Sequence, residues 1–275
     1  MKVVANSLPK SGTHMVGKLL KSLGFEEWKP GLTANLVRET HRNPMRNLQK
    51  RRRRPIGSDN GLWIDLDIKE NLVSRKWLHA HLNQIPDGSF VTGHLPYSED
   101  LSEFLQIHGF KVIYIIRDPR DVLISAINYQ KKWKKNPFYN EFQNMSLDEC
   151  IAHVFSRASK GRIVDGSLKE RVENSIGWLS DTGVFTTTFE ALVGPKGGGS
   201  TSKQLDTVKG VCEYLELSLK KQRIDMINSW VFDSKSKTFH KGLIGQWKTV
   251  LNDKQKEMVN REIGRLLNEL GYALF

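Results

Sequence analysis

Cysteines and long apolar runs are both scarce in this sequence, and each shortage excludes a class of protein. The 275 residues include two cysteines, Cys150 and Cys212. Their spacing matches neither a metal site nor a disulfide framework, so we expect two buried, reduced thiols. No stretch reaches the ~18 apolar residues that a membrane span requires, and the first residues are not typical of a hydrophobic signal region. We therefore expect a cytoplasmic protein without a membrane span.

Acidic residues are fewer than basic residues, and the resulting positive charge restricts the partners that the surface attracts. Asp and Glu total 30 against 42 Lys and Arg, and the formal net charge is +12. A surplus of this size favours anionic partners, namely nucleotides, nucleic acids or acidic membranes. Groups of His, Cys, Asp and Glu with metal-ligand spacing are also lacking, so no metal cofactor is expected.

Short apolar segments alternate with stretches of helical periodicity. The third of these segments is apolar throughout, as is typical of a central parallel strand that is buried on both faces. The alternation predicts an α/β fold, a single domain over residues 1–275 with a mainly parallel β-sheet flanked by helices. The predicted strands cover residues 2–7, 89–92, 111–116 and 184–189.

A polar and basic stretch at about residues 25–61 interrupts this pattern as an arm or insertion. It contains four consecutive arginines, Arg51 to Arg54, preceded by Lys50. Two interpretations stay open, an exposed arm and a lid that draws an anionic acceptor towards the site. The surrounding residues do not form a recognisable nucleic-acid module, so a nucleic-acid partner is not expected.

The first predicted strand leads into a candidate phosphate-binding loop. Pro9-Lys10-Ser11-Gly12-Thr13-His14 follows the strand, and a helix is predicted from residue 13 to 23. A strand–loop–helix of this kind aims backbone N–H groups and a helix N-terminus at an anion, to which Lys10, Ser11 and Thr13 add one cation and two hydroxyls. Lys10 precedes the glycine, so this is not the Walker A pattern that binds Mg-ATP.

Polar residues also follow the other predicted strands. His94 comes after the second strand, Arg117 after the third and Glu190 after the fourth. Ligands of parallel sheets bind beyond the carboxyl ends of the strands. We therefore expect one shared site that contains Lys10, His94 and Arg117.

Three segments resemble, in the same order, those of the sulfotransferases that use 3′-phosphoadenosine 5′-phosphosulfate (PAPS). Residues 9–13 are similar to the 5′-phosphosulfate loop of that family, and residues 117–125 are similar to its 3′-phosphate segment. Residues 239–248 resemble its C-terminal Arg-Lys-Gly-x-x-Gly-x-Trp-Lys element. The resemblance covers nearly the whole chain and implies PAPS as co-substrate, the bisphosphate PAP as product, and no metal.

The resemblance also implies roles for individual residues. His94, in Gly-His-Leu-Pro, would be the general base, and Lys10 would stabilise charge on the leaving phosphate. The expected cofactor-binding residues are Lys10, Ser11, Gly12, Thr13, His14, Arg117, Ser125, His240, Lys241 and Gly242.

The sequence departs from the family pattern at several positions. His240 stands where the family usually has arginine, so its contact with the 3′-phosphate stays open. Met15, Thr92 and Phe189 replace the tryptophan, lysine and tyrosine of the animal cytosolic enzymes. These differences argue against a close relative of the animal phenol and steroid enzymes.

The expected reaction moves a sulfuryl group from PAPS to a hydroxyl or amine of an unidentified acceptor, a small molecule or a carbohydrate. Three alternatives stay open at this stage. One is a nucleotide or nucleoside kinase of the P-loop type, and another is a basic nucleic-acid-binding protein. The third is a sulfotransferase that acts on a carrier-bound acyl chain. The acceptor pocket is expected to come from residues 25–61, 130–145 and 233–240.

Overall fold

The computed structural model describes residues 1–32, 61–66, 72–160, 163–220, 224 and 242–274. Its strands are β1 Lys2–Ser7, β2 Glu26–Glu27, β3 Gly61–Trp63, β4 Leu72–Ser74, β5 Ser89–Gly93, β6 Phe110–Ile116, β7 Ala158–Lys160, β8 Ile163–Asp165 and β9 Val184–Thr188. Its α-helices are α1 Thr13–Ser22, α2 Arg75–Leu82, α3 Glu99–Ile107, α4 Pro119–Lys132, α5 Tyr139–Asn144, α6 Leu147–Phe155, α7 Leu168–Glu173, α8 Phe189–Leu192, α9 Thr201–Tyr214, α10 Trp247–Val250 and α11 Asp253–Glu269.

A five-stranded sheet in the order β2-β5-β1-β6-β9 forms the centre of the fold. Every pairing in it is parallel, which confirms the predicted α/β class and the mainly parallel sheet. The register pairs Asn6 with Gly93 and Ser7 with Ile115. The carboxyl ends of β1, β5 and β6 therefore lie at nearly the same level, as a shared site requires.

Helices cover both faces of the sheet. Leu20 of α1 and Val211 of α9 belong to the apolar layer on one face, and Leu123 of α4 and Ile263 of α11 belong to the layer on the other. Successive residues of β6 contribute to the two layers alternately. This double coverage explains why β6 is apolar at every position from Val112 to Ile116 rather than at every second one.

Two helix starts match what their sequences predict. Asp118 caps α4 by accepting a hydrogen bond from the Arg120 N–H at 2.9 Å, with Pro119 at the first helical position. Asn252 caps α11 in a reciprocal box with Gln255. Such caps satisfy backbone donors that a helix otherwise leaves unpaired. Cys150 and Cys212 are buried and unbonded to each other, as expected.

Short hairpins are the features that the periodicity does not reveal. The apolar periodicity of residues 72–82 predicts a helix throughout, but β4 pairs with β3 and the helix begins at Arg75. The sequence pattern likewise predicts a helix over residues 147–159, but the helix ends at Phe155, and β7 pairs with β8. Three-residue strands are too short to show the alternation on which strand prediction depends. Most of the basic arm, residues 33–60, lies outside the described residues.

None of the helices in the described part of the chain is both long enough and apolar enough to span a membrane.

Removal of the Trp178 side chain is expected to cost the most stability in this core. Trp178 is 0% exposed, packs edge-on to Tyr97 at 5.2 Å between ring centres, and donates a hydrogen bond to the Leu95 carbonyl at 3.0 Å. Trp178→Ala should lower the free energy of unfolding by about 3–5 kcal/mol in urea denaturation. Trp133→Ala is the control, because Trp133 is 47% exposed, and it should cost less than about 1 kcal/mol. Equal losses would contradict the assignment of Trp178 to the core.

Candidate active site

The loop between β1 and α1 has a backbone that few residues tolerate. Gly12 has a φ of 109° and Lys10 a φ of 70°, both in the left-handed region. A Cβ atom at Gly12 would lie 3.1 Å from Cδ2 of Phe189 and 3.3 Å from Cδ1 of Ile115. Glycine is therefore needed at position 12 for two reasons, the backbone angle and the close approach of Phe189.

Hydroxyl groups line this loop, and one of them has no partner. The Ser11 side chain is 0% exposed, and its Oγ makes no hydrogen bond within the described residues. Ser7 Oγ and Thr13 Oγ1 lie 2.5 Å apart and form a hydrogen bond in which either hydroxyl can donate. An unpaired buried hydroxyl is costly, so the loop fits a ligand that accepts a hydrogen bond there. A phosphate oxygen meets that requirement.

The ammonium group of Lys10 lies over an aromatic ring instead of beside an acid. Its Nζ is 3.9 Å from the centre of the Tyr129 ring, and no carboxylate of the described residues pairs with it. Burial, with a further contribution from the positive charge of Arg117, lowers the pKa of Lys10 to about 8. Lys10 is thus a partly desolvated cation that an anionic ligand would stabilise.

Arg117 provides a second desolvated cation at the end of β6. It is 3% exposed, and its Nη2 donates to the Leu243 carbonyl at 2.7 Å and, more weakly, to Asp121 at 3.4 Å. Its guanidinium carbon lies 4.1 Å from the centre of the Phe189 ring, while its Nε is buried without a partner. Burial lowers the pKa of Arg117, and Asp121 and Glu190 oppose that shift.

Two carboxylates attach the C-terminal segment to the same place. Asp121 accepts hydrogen bonds from the backbone N–H groups of Gly245 at 2.7 Å and Trp247 at 3.1 Å. Asp118 accepts one from the indole Nε1 of Trp247 at 3.0 Å. Gly242, with a φ of 60°, begins this segment, which therefore lies beside Arg117. Trp247 is 6% exposed, so its indole ring packs in the interior.

Glu190 has a structural position behind these groups. Its carboxylate accepts hydrogen bonds from the Asp118 N–H at 3.1 Å and from the Tyr272 hydroxyl at 3.2 Å. Burial raises the pKa of Glu190, and the bond from Asp118 opposes that shift. The contacts join the start of α4 to the end of the chain.

His94 has a defined orientation at the end of β5. Its Nδ1 donates to the Ser7 carbonyl at 3.0 Å and lies 3.2 Å from Ser7 Oγ. A carbonyl oxygen only accepts, so Nδ1 carries the hydrogen and the lone pair of the neutral ring is on Nε2. This is the tautomer that a general base at Nε2 requires.

The residue after His94 is held by three hydrogen bonds. Asn6 is 0% exposed; its Oδ1 accepts from the Leu95 N–H at 2.8 Å, and its Nδ2 donates to the Leu95 carbonyl at 3.3 Å. Trp178 Nε1 donates to the same carbonyl. The side chains of Asn6 in β1 and of Trp178 in the core thus fix the backbone next to His94.

The expected site residues fall into three groups. At one sheet edge, Thr13 and His94 both contact Ser7, and Gly12 and Arg117 both approach Phe189. Lys10 and Ser11 belong to the same loop as Gly12, and Gly242 precedes Leu243, whose carbonyl accepts from Arg117. His14 lies in the first turn of α1, where burial and the charge of Lys10 lower its pKa, and Ser125 lies on α4. His240 and Lys241 lie outside the described residues.

Sequence reasoning did not single out Asn6, Ser7, Asp121 or Tyr129. Two polar residues at the end of an otherwise apolar strand are a usable signal for Asn6 and Ser7, and an acid four residues after Arg117 is one for Asp121. The contact between Tyr129 and Lys10 has no counterpart in the sequence pattern. Among the residues described, no three His, Cys, Asp or Glu side chains converge as a metal site.

Substitution at Gly12 separates backbone strain from steric contact. Gly88 has a φ of 76° with open space around its Cα, so Gly88→Ala should lower the free energy of unfolding by about 1–2 kcal/mol through the backbone alone. Gly12→Ala should cost about 1–3 kcal/mol more, because its methyl group meets Phe189 and Ile115. Urea denaturation of both variants measures the difference. Equal costs would show that the loop yields and that Phe189 does not limit it.

Comparison with known proteins agrees with this geometry. The family model described as sulfotransferase domain matches residues 2–271. The 3-beta-hydroxysteroid sulfotransferase of Cavia porcellus is 24% identical over 210 residues, which are 69% of this chain and 64% of that protein. This chain thus matches somewhat less than two-thirds of the length of that relative.

Two solved structures have a similar fold. Mouse sulfotransferase SULT7A1 complexed with PAP matches with a TM-score of 0.57 and 18% identity, over 98% of this chain and 88% of that one. Retinol dehydratase in complex with androsterone and inactive cofactor PAP matches with a TM-score of 0.56 and 14% identity, over 97% and 80%. At these identities the structures show the fold, and the family model covers nearly the whole sequence. The chain therefore belongs to the sulfotransferase family.

Proposed function

We propose that this protein transfers a sulfuryl group from PAPS to a hydroxyl or amine of an acceptor. The observation that carries the proposal is Lys10, a partly buried cation without a carboxylate partner among the described residues. It lies in a loop whose Ser11 hydroxyl is also unpaired. Both groups would gain a partner from a phosphate group with a sulfate attached.

PAPS fits the polar atoms at this sheet edge. Its 5′-phosphate would be held by Lys10 and by Ser11, Gly12, Thr13 and His14 at the start of α1. Its 3′-phosphate would be held by Arg117 and Ser125, together with His240, Lys241 and Gly242. The unpaired Nε of Arg117 supports this assignment, since a guanidinium binds phosphate through two parallel hydrogen bonds. When bound, PAPS supplies the sulfuryl group.

Lys10 would act as the electrostatic group of the transfer. With its pKa lowered to about 8, most Lys10 side chains carry a proton at neutral pH. The ammonium group would stabilise negative charge on the leaving phosphate, as preorganised cations do in other transfer reactions. No metal is required for this role.

His94 would act as the general base. Its Nδ1 donates to Ser7, so Nε2 has the lone pair that accepts the proton of the acceptor hydroxyl or amine. Asn6 and Trp178 hold the neighbouring peptide and so restrict where the ring can move. Such restriction favours proton transfer at a defined position.

The proposed acceptor is a small molecule or a carbohydrate. The similar retinol dehydratase structure is a complex with androsterone, and the guinea-pig relative is named for 3-beta-hydroxysteroids, which supports a hydroxyl as the group that is modified. We also propose that the enzyme is cytoplasmic and that it forms one domain over residues 1–275, with a basic arm near residues 25–61.

Donor binding can be tested without an acceptor. Lys10→Met is expected to weaken the binding of both PAP and AMP by about 10- to 100-fold, since a charged hydrogen bond to the 5′-phosphate is lost. Calorimetry measures both affinities. Arg117→Met should weaken the binding of PAP by a similar factor and leave the affinity for AMP nearly unchanged, because AMP has no 3′-phosphate. Lys254→Met, on the exposed side of α11, is the matched control. Tight binding of Mg-ATP instead of PAP by the wild type would overturn the proposal.

Loss of the base should separate turnover from binding. His94→Ala is expected to retain PAP affinity within about twofold and to lose at least about 100-fold in turnover. Turnover is followed with labelled PAPS and a panel of hydroxyl, amine and sugar acceptors. His79→Ala, at an exposed position of α2, is the control for removal of an imidazole. Full turnover by His94→Ala would show that another group takes the proton.

A further inference from the structure

Lys10 has a strained backbone and an unusual neighbour. Its φ of 70° is rare for a residue other than glycine, and such conformations persist where the surroundings hold them. Within the residues described, the contact that its ammonium group makes is with the Tyr129 ring, at 3.9 Å from the centre. The ring is therefore the group that defines where the free side chain rests.

Tyr129 is suited to hold a cation through its ring face. It is half-buried on α4, and Trp133 packs against it with 5.1 Å between ring centres. Burial raises the pKa of Tyr129 to about 12, so the side chain is a neutral phenol. The attraction to Lys10 is then a cation–π interaction rather than an ion pair.

We propose that Tyr129 is a positioning residue, whose ring keeps the Lys10 ammonium charged and in place at the phosphate loop both before and while an anionic donor binds. This inference rests on the proposed function for the identity of the donor. Tyr129 itself is not assigned any contact with the reacting atoms.

The charges around Lys10 make this role measurable. Among the described residues, the charged groups that interact with Lys10 are Arg117 at the end of β6 and His14 at the start of α1, both basic, beside the Tyr129 ring itself. Burial lowers the pKa of His14 below its ordinary value, so a titration above neutral pH does not come from His14. A ring face attracts the ammonium and not the neutral amine, so removal of the ring should lower the pKa of Lys10 further.

The experiment measures PAP affinity by calorimetry from about pH 6.5 to about pH 9.5, a range that brackets the Lys10 titration. Wild-type affinity should fall as the pH rises through about 8, where Lys10 loses its proton. Tyr129→Leu should displace this fall to lower pH by about 0.7 of a unit, as loss of ~1 kcal/mol predicts, and should therefore bind PAP about twofold more weakly near pH 7.5. A role in folding alone would leave this pH midpoint unchanged.

Two further variants identify the ring as the cause. Tyr129→Phe keeps the ring and should restore both the affinity and the pH midpoint. Tyr139→Leu removes a half-buried tyrosine from the neighbouring helix α5, and its midpoint should match the wild type. A wild-type midpoint in Tyr129→Leu, or the same displacement in Tyr129→Phe, would overturn the inference.

A ligand-free measurement separates this inference from the proposed function. Competitive acetylation of Lys10, followed by mass spectrometry at several pH values, reports its pKa without PAP. Tyr129→Leu should give a lower Lys10 pKa than the wild type. If the wild type does not bind PAP, the proposed function fails, and the acetylation result still decides the role of Tyr129.

Discussion

The parallel register of β1 against β5 and β6 determines where every polar group of the site lies. Asn6 pairs with Gly93 and Ser7 with Ile115, so these strands end together and the residues that follow them share one edge. A shift of one residue would turn each side chain of β1 to the opposite face. The bonds from Asn6 to Leu95 and from Ser7 to His94 would then be lost. Because apolar layers cover both faces of the sheet, such a shift would also expose the core, and the packing therefore protects the geometry of the site.

Positive charge without full compensation is the second property of this edge. Arg117 has Asp121, the Leu243 carbonyl and the Phe189 ring around it, whereas Lys10 has the ring of Tyr129. Burial disfavours the charged form of both groups and lowers the pKa of each. A folded protein that holds two such cations close together has an unfavourable electrostatic energy that an anion relieves. Binding of a doubly phosphorylated nucleotide would therefore be favoured by compensation of these two charges as much as by new contacts.

Periodicity was enough to predict the α/β class, the central strand and the residues at the strand ends, because these depend on local patterns of burial. The caps at Asp118 and Asn252 were predictable for the same reason, since a cap is a local contact. The rest depends on chain segments that are distant in sequence. No local pattern indicates that Tyr129 meets Lys10, or that Asn6 holds the peptide after His94. The hairpins β3–β4 and β7–β8 escaped prediction because strands of three residues carry too little pattern.

Phe189 shows how one such distant contact sets a dimension of the site. Its ring limits the loop, since a Cβ at Gly12 would lie 3.1 Å from Cδ2, and it also packs 4.1 Å from the Arg117 guanidinium. The ring thus lies between the groups assigned to the 5′-phosphate and those assigned to the 3′-phosphate. A nucleotide can bind both groups only if the distance between its phosphates matches the spacing between the groups. The Phe189 side chain maintains that spacing through its contacts alone. The hydroxyl that a tyrosine would add is not needed for this, and phenylalanine at position 189 is therefore compatible with the proposed donor.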